Sequence, residues 1–223
     1  MGQANKQHSF LYRNGLGLLF VALFLITLGA QAVTGWHEHN SELEQEKAAA
    51  IGFPEYLQTG HFISSTFENF ESEFLQMALY VLLTVGLRQK GSAESKSLDE
   101  QEDVDREPQP GPDAPWPVRK GGIILKLYEN SLSLVFAILF FISWALHLYG
   151  SWVDHNEQQV LTGQATDTIG NYLTQANFWF ETFQNWQSEF LSIASIVIFT
   201  IFLRQKGSPE SKPVDAPHSE TGK

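Results

Sequence analysis

The sequence contains no cysteine, which excludes disulfides, thiolate zinc sites and thiol nucleophiles. Basic residues are scarce as well: 14 Lys and Arg stand against 25 Asp and Glu in 223 residues, for a formal net charge of -11. Nucleic acid is bound mainly through Lys and Arg, so this balance argues against a nucleic-acid partner. The sequence shows no nucleophile with its base, no phosphate loop and no complete set of metal ligands at a known spacing. We therefore expect neither an enzyme nor a cofactor.

The two halves of the chain resemble each other. With a shift of 116 residues and no gap, 34 of the 85 positions from 12 to 96 are identical to those from 128 to 212. Unrelated segments would match at roughly one position in fifteen. The matches include Trp-x-(Glu or Asp)-His-Asn at 36–40 and 152–156, and Arg-Gln-Lys-Gly-Ser at 88–92 and 204–208. This pattern predicts a tandem duplication of one structural unit.

Long apolar runs are the other dominant feature. Leu16–Trp36 and Leu132–Trp152 each have the roughly 20 residues that an α-helix needs to cross a membrane. Two shorter runs, Phe74–Leu87 and its counterpart in the second half, reach that length only if the crossing begins near Phe67 and Phe183. We predict an all-α fold with four transmembrane helices, arranged as a tandem parallel repeat of a two-helix unit.

Basic residues cluster at one end of each predicted span. They are Lys6, Arg13, Arg88, Lys90, Lys96, Arg119, Lys120, Lys126, Arg204, Lys206 and Lys212. The loop after the first span contains only Lys47, and the loop after the third contains neither Lys nor Arg. The positive-inside rule then predicts that both termini and the central linker are cytoplasmic, so the two units are parallel. Four of these residues are predicted to be anchors in the lipid headgroup layer, namely Arg88, Lys90, Arg204 and Lys206.

Polar segments divide the chain. Residues 93–118 contain eight Asp or Glu and five Pro, a composition that favours disorder. We predict a first membrane repeat at 1–92, a disordered cytoplasmic linker at 93–118, a second repeat at 119–208 and a disordered cytoplasmic tail at 209–223. Ala30-Gln31-Ala32 also fits the cleavage site of a secretory signal. The third span repeats the same element inside the chain without that site, which favours a retained span.

Polar residues line one face of each shorter span. At 100° per residue, Thr66, Asn69 and Glu73 lie on one side of the second span. The equivalent residues of the fourth span are Thr182, Asn185 and Glu189. Lipid offers no hydrogen bonds, so such a stripe must face other helices or water. The glutamates are therefore candidates for interhelical contacts or, alternatively, for a proton or ion path.

A second candidate site lies just beyond the outer ends of the first and third spans. It consists of Glu38, His39, Asp154 and His155, whose imidazole and carboxylate groups are ligands for a divalent ion. No H-E-x-x-H spacing is present, which favours a polar turn whose His and Asn side chains hydrogen-bond the loop. His61 is not repeated in the second half, and His147 is interpreted as a packing residue.

Two motifs in the first half resemble a known family. Phe-Glu-Ser-Glu-Phe-Leu-Gln at 70–76, followed by Leu-Arg-Gln-Lys-Gly-Ser-Ala-Glu-Ser-Lys at 87–96, is similar to a bacterial family of small membrane proteins catalogued as a domain of unknown function. The second copy departs from this pattern at Trp186 and Pro209. The resemblance implies a bacterial inner membrane and supplies no activity and no catalytic residues.

These features together favour a non-enzymatic integral membrane protein that acts through lipid or protein contacts. The lipid bilayer is the expected partner, together with a second copy of the chain or another membrane protein. The alternative is a small oligomeric transporter or channel that uses Glu73 and Glu189 as proton or ion sites. Parallel repeats and paired glutamates support this alternative, but four helices leave little room for a pore without oligomerisation.

Overall fold

The computed structural model describes residues 8–222, which contain only helices, turns and irregular segments and no β-strand. Lys6, part of the predicted charge pattern, lies outside the described residues. The α-helices are α1 (Phe10–Gln45), α2 (Phe53–Tyr56), α3 (Gly60–Gly86), α4 (Trp116–Lys120), α5 (Gly122–Glu129), α6 (Ser131–Leu161), α7 (Ile169–Tyr172) and α8 (Ala176–Phe202). The predicted all-α class is confirmed.

Three of these helices are long and apolar enough to cross a membrane: α1, α6 and α8. Their apolar side chains are widely exposed, as at Leu16 (74%) and Phe141 (65%). Apolar area costs about 25 cal/mol per Å² when it faces water, so helices of this kind are stable in contact with lipid. The chain therefore has the character of a membrane protein.

The sequence predicted four membrane-spanning helices, whereas three meet these criteria. The exception is α3, which has 27 residues but carries Glu68, Glu71 and Glu73 in its first half. These acidic residues, with neighbouring Asn and Ser, lower the hydropathy of any 18-residue stretch that contains them. The structure buries Glu71 completely, so part of this polarity is directed into the protein instead of towards its surroundings.

Helix boundaries in the two halves coincide when the chain is shifted by 116 residues. α2 and α7 have equivalent bounds, as do α3 and α8, and α1 ends at Gln45 where α6 ends at Leu161. Gly91 and Gly207, at equivalent positions after α3 and α8, both have a φ of 84°. Only glycine adopts this left-handed conformation at little cost, which explains its place in the turn that follows each helix.

The described chain divides into two compact units. The first consists of Met1–Ile63 and Gly150–Asp167. Within it, the Trp36 indole and the Asn40 amide both donate to the carbonyl of Ile51, and Ile51 N donates back to Asn40. The same bonds recur from Trp152 and Asn156 to Asp167. Each long helix therefore holds the loop that follows it by the same three bonds.

Close backbone approaches also shape the first unit. A Cβ atom added to Gly60 would lie 2.4 Å from the nitrogen of Asp154 and 2.6 Å from the carbonyl oxygen of Gly150. A Cβ at Gly35 would lie 2.3 Å from the Tyr56 hydroxyl. The start of α3 thus touches α6 through a residue without a side chain.

The second unit consists of Ser64–Tyr149 and Thr168–Lys223. In it α3 packs against α6 through Phe74 and Phe136, whose ring centroids are 6.5 Å apart. It contacts α8 through Gln76, which donates to the Glu189 carbonyl at 3.0 Å and to the Ser192 hydroxyl. Polar and aromatic side chains therefore join α3 to both neighbouring helices.

Two arginines close the ends of α3 and α8. Arg88 donates to the carbonyls of the last turn of α3 and to Ser97, and Arg204 makes the equivalent bonds in α8 and to Pro213. The last carbonyls of a helix have no partner inside the helix, so both side chains satisfy groups that would otherwise lack hydrogen bonds. Their role as headgroup anchors stays a prediction, as does that of the exposed Lys90 and Lys206.

The segments after α3 and α8 hold turns and specific contacts. The linker contains a 3-10 turn at Asp103–Asp105 and the short helix α4. In the tail, Lys212 is almost fully buried and donates to three carbonyls. Burial, and next the nearby Arg204, lowers the pKa of Lys212. The disorder of residues 93–118 and 209–223 stays a prediction.

Candidate functional site

A buried acid and base face each other in the second unit. Glu71 on α3 and His147 on α6 both have fully buried side chains, and Nδ1 of His147 lies 3.0 Å from Oε2 of Glu71. The indole nitrogen of Trp186 on α8 donates to the other oxygen, Oε1, at 3.1 Å. Glu71 therefore bonds to both neighbouring helices with one carboxyl group.

Aromatic packing holds the histidine in place. The His147 ring lies 5.0 Å from the ring of Phe178, which is fully buried on α8. Trp144, one turn before His147 on α6, contacts the same phenylalanine at 6.3 Å. Within residues 8–222, the buried Nε2 of His147 has no hydrogen-bond partner. An imidazole with one paired and one unpaired nitrogen can accept or release a proton at the free position.

Further polar groups surround this pair. Glu68, one turn before Glu71 on α3, accepts a hydrogen bond from the amide of Asn185 on α8, and it interacts electrostatically with His147. Thr182 is fully buried on α8, one turn from Phe178, and in the described chain its hydroxyl has no hydrogen-bond partner. We call Glu68, Glu71, His147, Thr182, Asn185 and Trp186 the polar cluster.

The cluster combines two carboxyl groups with one imidazole in a closed environment. A buried carboxylate with a neighbouring imidazolium has no net charge, and neither does a carboxylic acid with a neutral imidazole. Adding a proton to the pair or removing one leaves a buried charge, which costs several kcal/mol. The arrangement is suited to proton binding or to polar helix association.

The structure brings together some of the residues of the predicted polar stripe. Thr66 and Thr182 are buried, and Asn185 belongs to the polar cluster. Asn69 is exposed and donates to the Ser65 carbonyl one turn earlier in its own helix.

The two glutamates that the sequence singled out lie at the edge of the helix contact. Glu73 is exposed and Glu189 half-buried. Their carboxyl groups are near enough to repel each other when both are ionised.

The four residues of the predicted outer-face cluster, Glu38, His39, Asp154 and His155, have different partners in the structure. His155 pairs with Asp167 at 3.2 Å and with Gln159 at 2.8 Å, next to the end of its own loop. Glu38 and Asp154 interact with Tyr56, where burial, followed by these carboxylates, raises the pKa of the phenol to about 12. His39 is grouped instead with Glu42 and His61.

Sequence reasoning passed over the residues that meet at the centre of the second unit. Glu71 was not distinguished from its neighbours, and His147 was interpreted as a packing residue. The signal that identifies them is divergence between the halves: Gln187 stands at the position equivalent to Glu71, and Gln31 at the position equivalent to His147. Each half thus supplies one ionisable member of a pair that neither half holds alone.

The family comparison agrees with the motifs at 70–76 and 87–96. A family model described as a domain of unknown function, DUF6766, matches residues 7–223, which is nearly the whole chain. The chain belongs to the DUF6766 family. Neither the search of curated proteins nor that of solved structures found a match. Membership in DUF6766 confirms the expected kind of family and assigns no activity.

Proposed function

We propose that this member of DUF6766 is a non-enzymatic, multi-pass membrane protein whose Glu71–His147 pair binds one proton between its helices. The observation that carries this proposal is the 3.0 Å contact between two fully buried ionisable side chains. Ionisable groups are expensive inside a membrane protein and mark functional positions by default.

The membrane arrangement that fits this proposal has four helices from two tandem units. In it α3 joins α1, α6 and α8 as a fourth spanning helix, because Glu71 bonds to α6 and Gln76 bonds to α8 instead of facing lipid. The basic residues after α3 and α8 support an orientation in which both termini and the linker face the cytoplasm of a bacterium. Glu71 then lies about 24 Å from Leu87, in the outer half of a ~30 Å hydrocarbon layer.

Infrared difference spectroscopy on purified protein in lipid tests the proton-binding pair directly. Because a second proton on the pair leaves a buried charge, a large step to acid pH is needed to change the carboxylic acid carbonyl band, and Glu71→Gln should remove that change. Gln187→Ala, which removes the exposed side chain at the equivalent position, is the control and should leave the band and its pH dependence unchanged. A wild-type spectrum without a pH-dependent buried carboxyl band, or an unchanged band in Glu71→Gln, would contradict the proposal.

A second candidate function, proton or ion transport, is supported by the pairing of Glu73 and Glu189. Two carboxyl groups at one helix contact can bind a shared proton and release it when they separate. Four helices enclose little space, so a transport path would form between copies of the chain. Flux measured in liposomes with wild-type protein and with Glu73→Gln plus Glu189→Gln tests this. Absence of wild-type flux of protons, Na⁺ and K⁺ would remove the candidate.

A further inference from the structure

We propose that His39, Glu42 and His61 form a binding site for a divalent transition-metal ion of the zinc class. Each residue offers one ligand atom, and these three atoms lie within 4.8 Å of one another. Two imidazoles and one carboxylate form a common protein ligand set for zinc, with the fourth position open to water or a small ligand.

The spacing of the three residues explains how the chain brings them together. His39 and Glu42 are three residues apart on α1 and therefore share a face of the helix, with His39 Nδ1 and Glu42 Oε2 3.9 Å apart. His61 comes from the start of α3, and its ring lies 5.1 Å from that of His39. Ligand atoms around tetrahedral zinc are about 3.3 Å apart, given bonds of about 2.0 Å. Glu42 has an exposed side chain that can rotate to close this difference.

His39 is prepared as a ligand by burial without a partner. The residue is only 8% exposed, and in the described part of the chain its Nδ1 atom forms no hydrogen bond. A buried polar atom without a hydrogen bond costs about 1–3 kcal/mol, so native proteins seldom keep one without a ligand or water. With its proton on Nε2, the ring can offer the lone pair of Nδ1, which lies 3.9 Å from Oε2 of Glu42, to a metal ion.

His61 has the supporting contact that metal-binding histidines usually need. Its Nδ1 atom lies 3.1 Å from the hydroxyl of Tyr56, a side chain that is 1% exposed. When Nδ1–H donates to the phenol oxygen, the ring presents the Nε2 lone pair on its other side for a metal ion. The Tyr56 ring also contacts His39 at 5.7 Å, so one buried residue positions both imidazoles.

An open cavity provides access to His39 within the first unit. It has a volume of about 670 Å³, and its walls include His39, Glu55 and Glu157. The two carboxylates raise the local concentration of cations. A water molecule or small ligand in this cavity can take the open coordination position.

The second half of the chain supplies natural control residues. Its equivalents of His39, Glu42 and His61 are His155, Gln158 and Asn177, so two of the three ligands are replaced by amides. His155 is also already bonded to Asp167. The zinc site is therefore a property of the first half alone.

Zinc binding to the purified full-length protein, without an affinity tag, tests this inference by competition with a chromogenic chelator. We expect one Zn²⁺ per chain in the wild type. Glu42→Gln and His61→Asn introduce the residues of the second half, and each should weaken binding at least about tenfold. Tyr56→Phe should weaken it about 10–100-fold through loss of the supporting contact. The controls His37→Ala and His155→Ala should bind as the wild type does.

Co²⁺ absorption reports the geometry, because tetrahedral cobalt absorbs much more strongly than octahedral cobalt in the visible range. Strong bands in the wild type that are lost in Glu42→Gln support the site, and Glu42 is exposed enough that its replacement preserves the fold. Wild-type affinity in both Glu42→Gln and His61→Asn would overturn the inference. Absence of zinc binding, or equal loss in the two control variants, would overturn it as well.

Discussion

Replacement of Glu71 by alanine is the most direct perturbation of the polar cluster. It removes the hydrogen-bond partner that His147 has within residues 8–222 and leaves the indole N–H of Trp186 without its bond to Glu71, with both groups inside the second unit. Breaking a buried ion pair by removal of one partner costs about 3–5 kcal/mol. Each kcal/mol shifts the melting temperature of a chain of this size by about 2–4 °C. We therefore expect Tm to fall by about 6–20 °C.

Thermal unfolding in detergent, followed by the near-ultraviolet signal of the tryptophans, measures this change. Gln187→Ala is the matched control, since it removes the equivalent but exposed side chain, and its Tm should stay within about 2 °C of the wild type. The Tm of Glu71→Gln should lie between those of Glu71→Ala and Gln187→Ala, because the amide still offers an oxygen to Trp186 and a donor to His147.

A double-mutant cycle separates the contact from general damage to the core. The double variant Glu71→Ala plus His147→Ala removes both members of the buried pair. Its loss of unfolding free energy should therefore be smaller than the sum of the losses in the two single variants. The reasoning would be refuted if the free-energy losses of the single variants simply added in the double variant, or if Glu71→Ala had the same Tm as Gln187→Ala.

Three further predictions concern the loops. Burial raises the pKa of Tyr56 to about 12, so the neutral phenol stabilises the folded protein fully below its ordinary pKa of 10. This stabilisation is lost as the pH rises through 12. The difference in alkaline absorbance between the wild type and Tyr56→Phe should show the late ionisation of the phenol. Asn40→Ala and Asn156→Ala each remove two loop hydrogen bonds and should each lower the free energy of unfolding by about 1–3 kcal/mol, as measured by denaturant unfolding. If the losses in the two variants differed by more than this range, the shared geometry would be contradicted. The hydrogen bond from Lys96 lowers the pKa of Asp105. The contact between the two side chains should therefore persist above the ordinary Asp pKa of 3.8 and be lost as the pH falls below that value. A ¹³C shift of the Asp105 carboxyl group that titrates at the ordinary pKa would contradict this prediction.

The sequence contained most of the information on secondary structure and little on the site. Apolar runs predicted α1 and α6 because a helix in lipid must be apolar over its whole membrane-spanning length. The repeated Trp36 and Asn40 indicated a polar turn, and the structure assigns their hydrogen bonds to Ile51. The sequence also predicted a span at α3, but the acidic residues in the first half of this helix keep it from meeting the criteria that α1, α6 and α8 meet.

The site depended on contacts between residues far apart in the chain. Glu71 and His147 are 76 residues apart, and Trp186 is 115 residues from Glu71. Their meeting requires the packing of three helices, which no local pattern encodes. The metal ligands were partly readable: the spacing His39-x-x-Glu42 places both on one helix face, but the contribution of His61 depends on the turn between α1 and α3.

The buried lysine of the C-terminal segment has a consequence for handling the protein. Lys212 is surrounded by the carbonyls of Pro217, His218 and Glu220, while Thr221 accepts a hydrogen bond from the backbone of Gly91. Residues 217–221 therefore tie together the polypeptide exits of α3 and α8. Proteolytic removal of these residues would strip an ammonium group of three carbonyl ligands and loosen two helix exits at once, although the cut would fall outside α8.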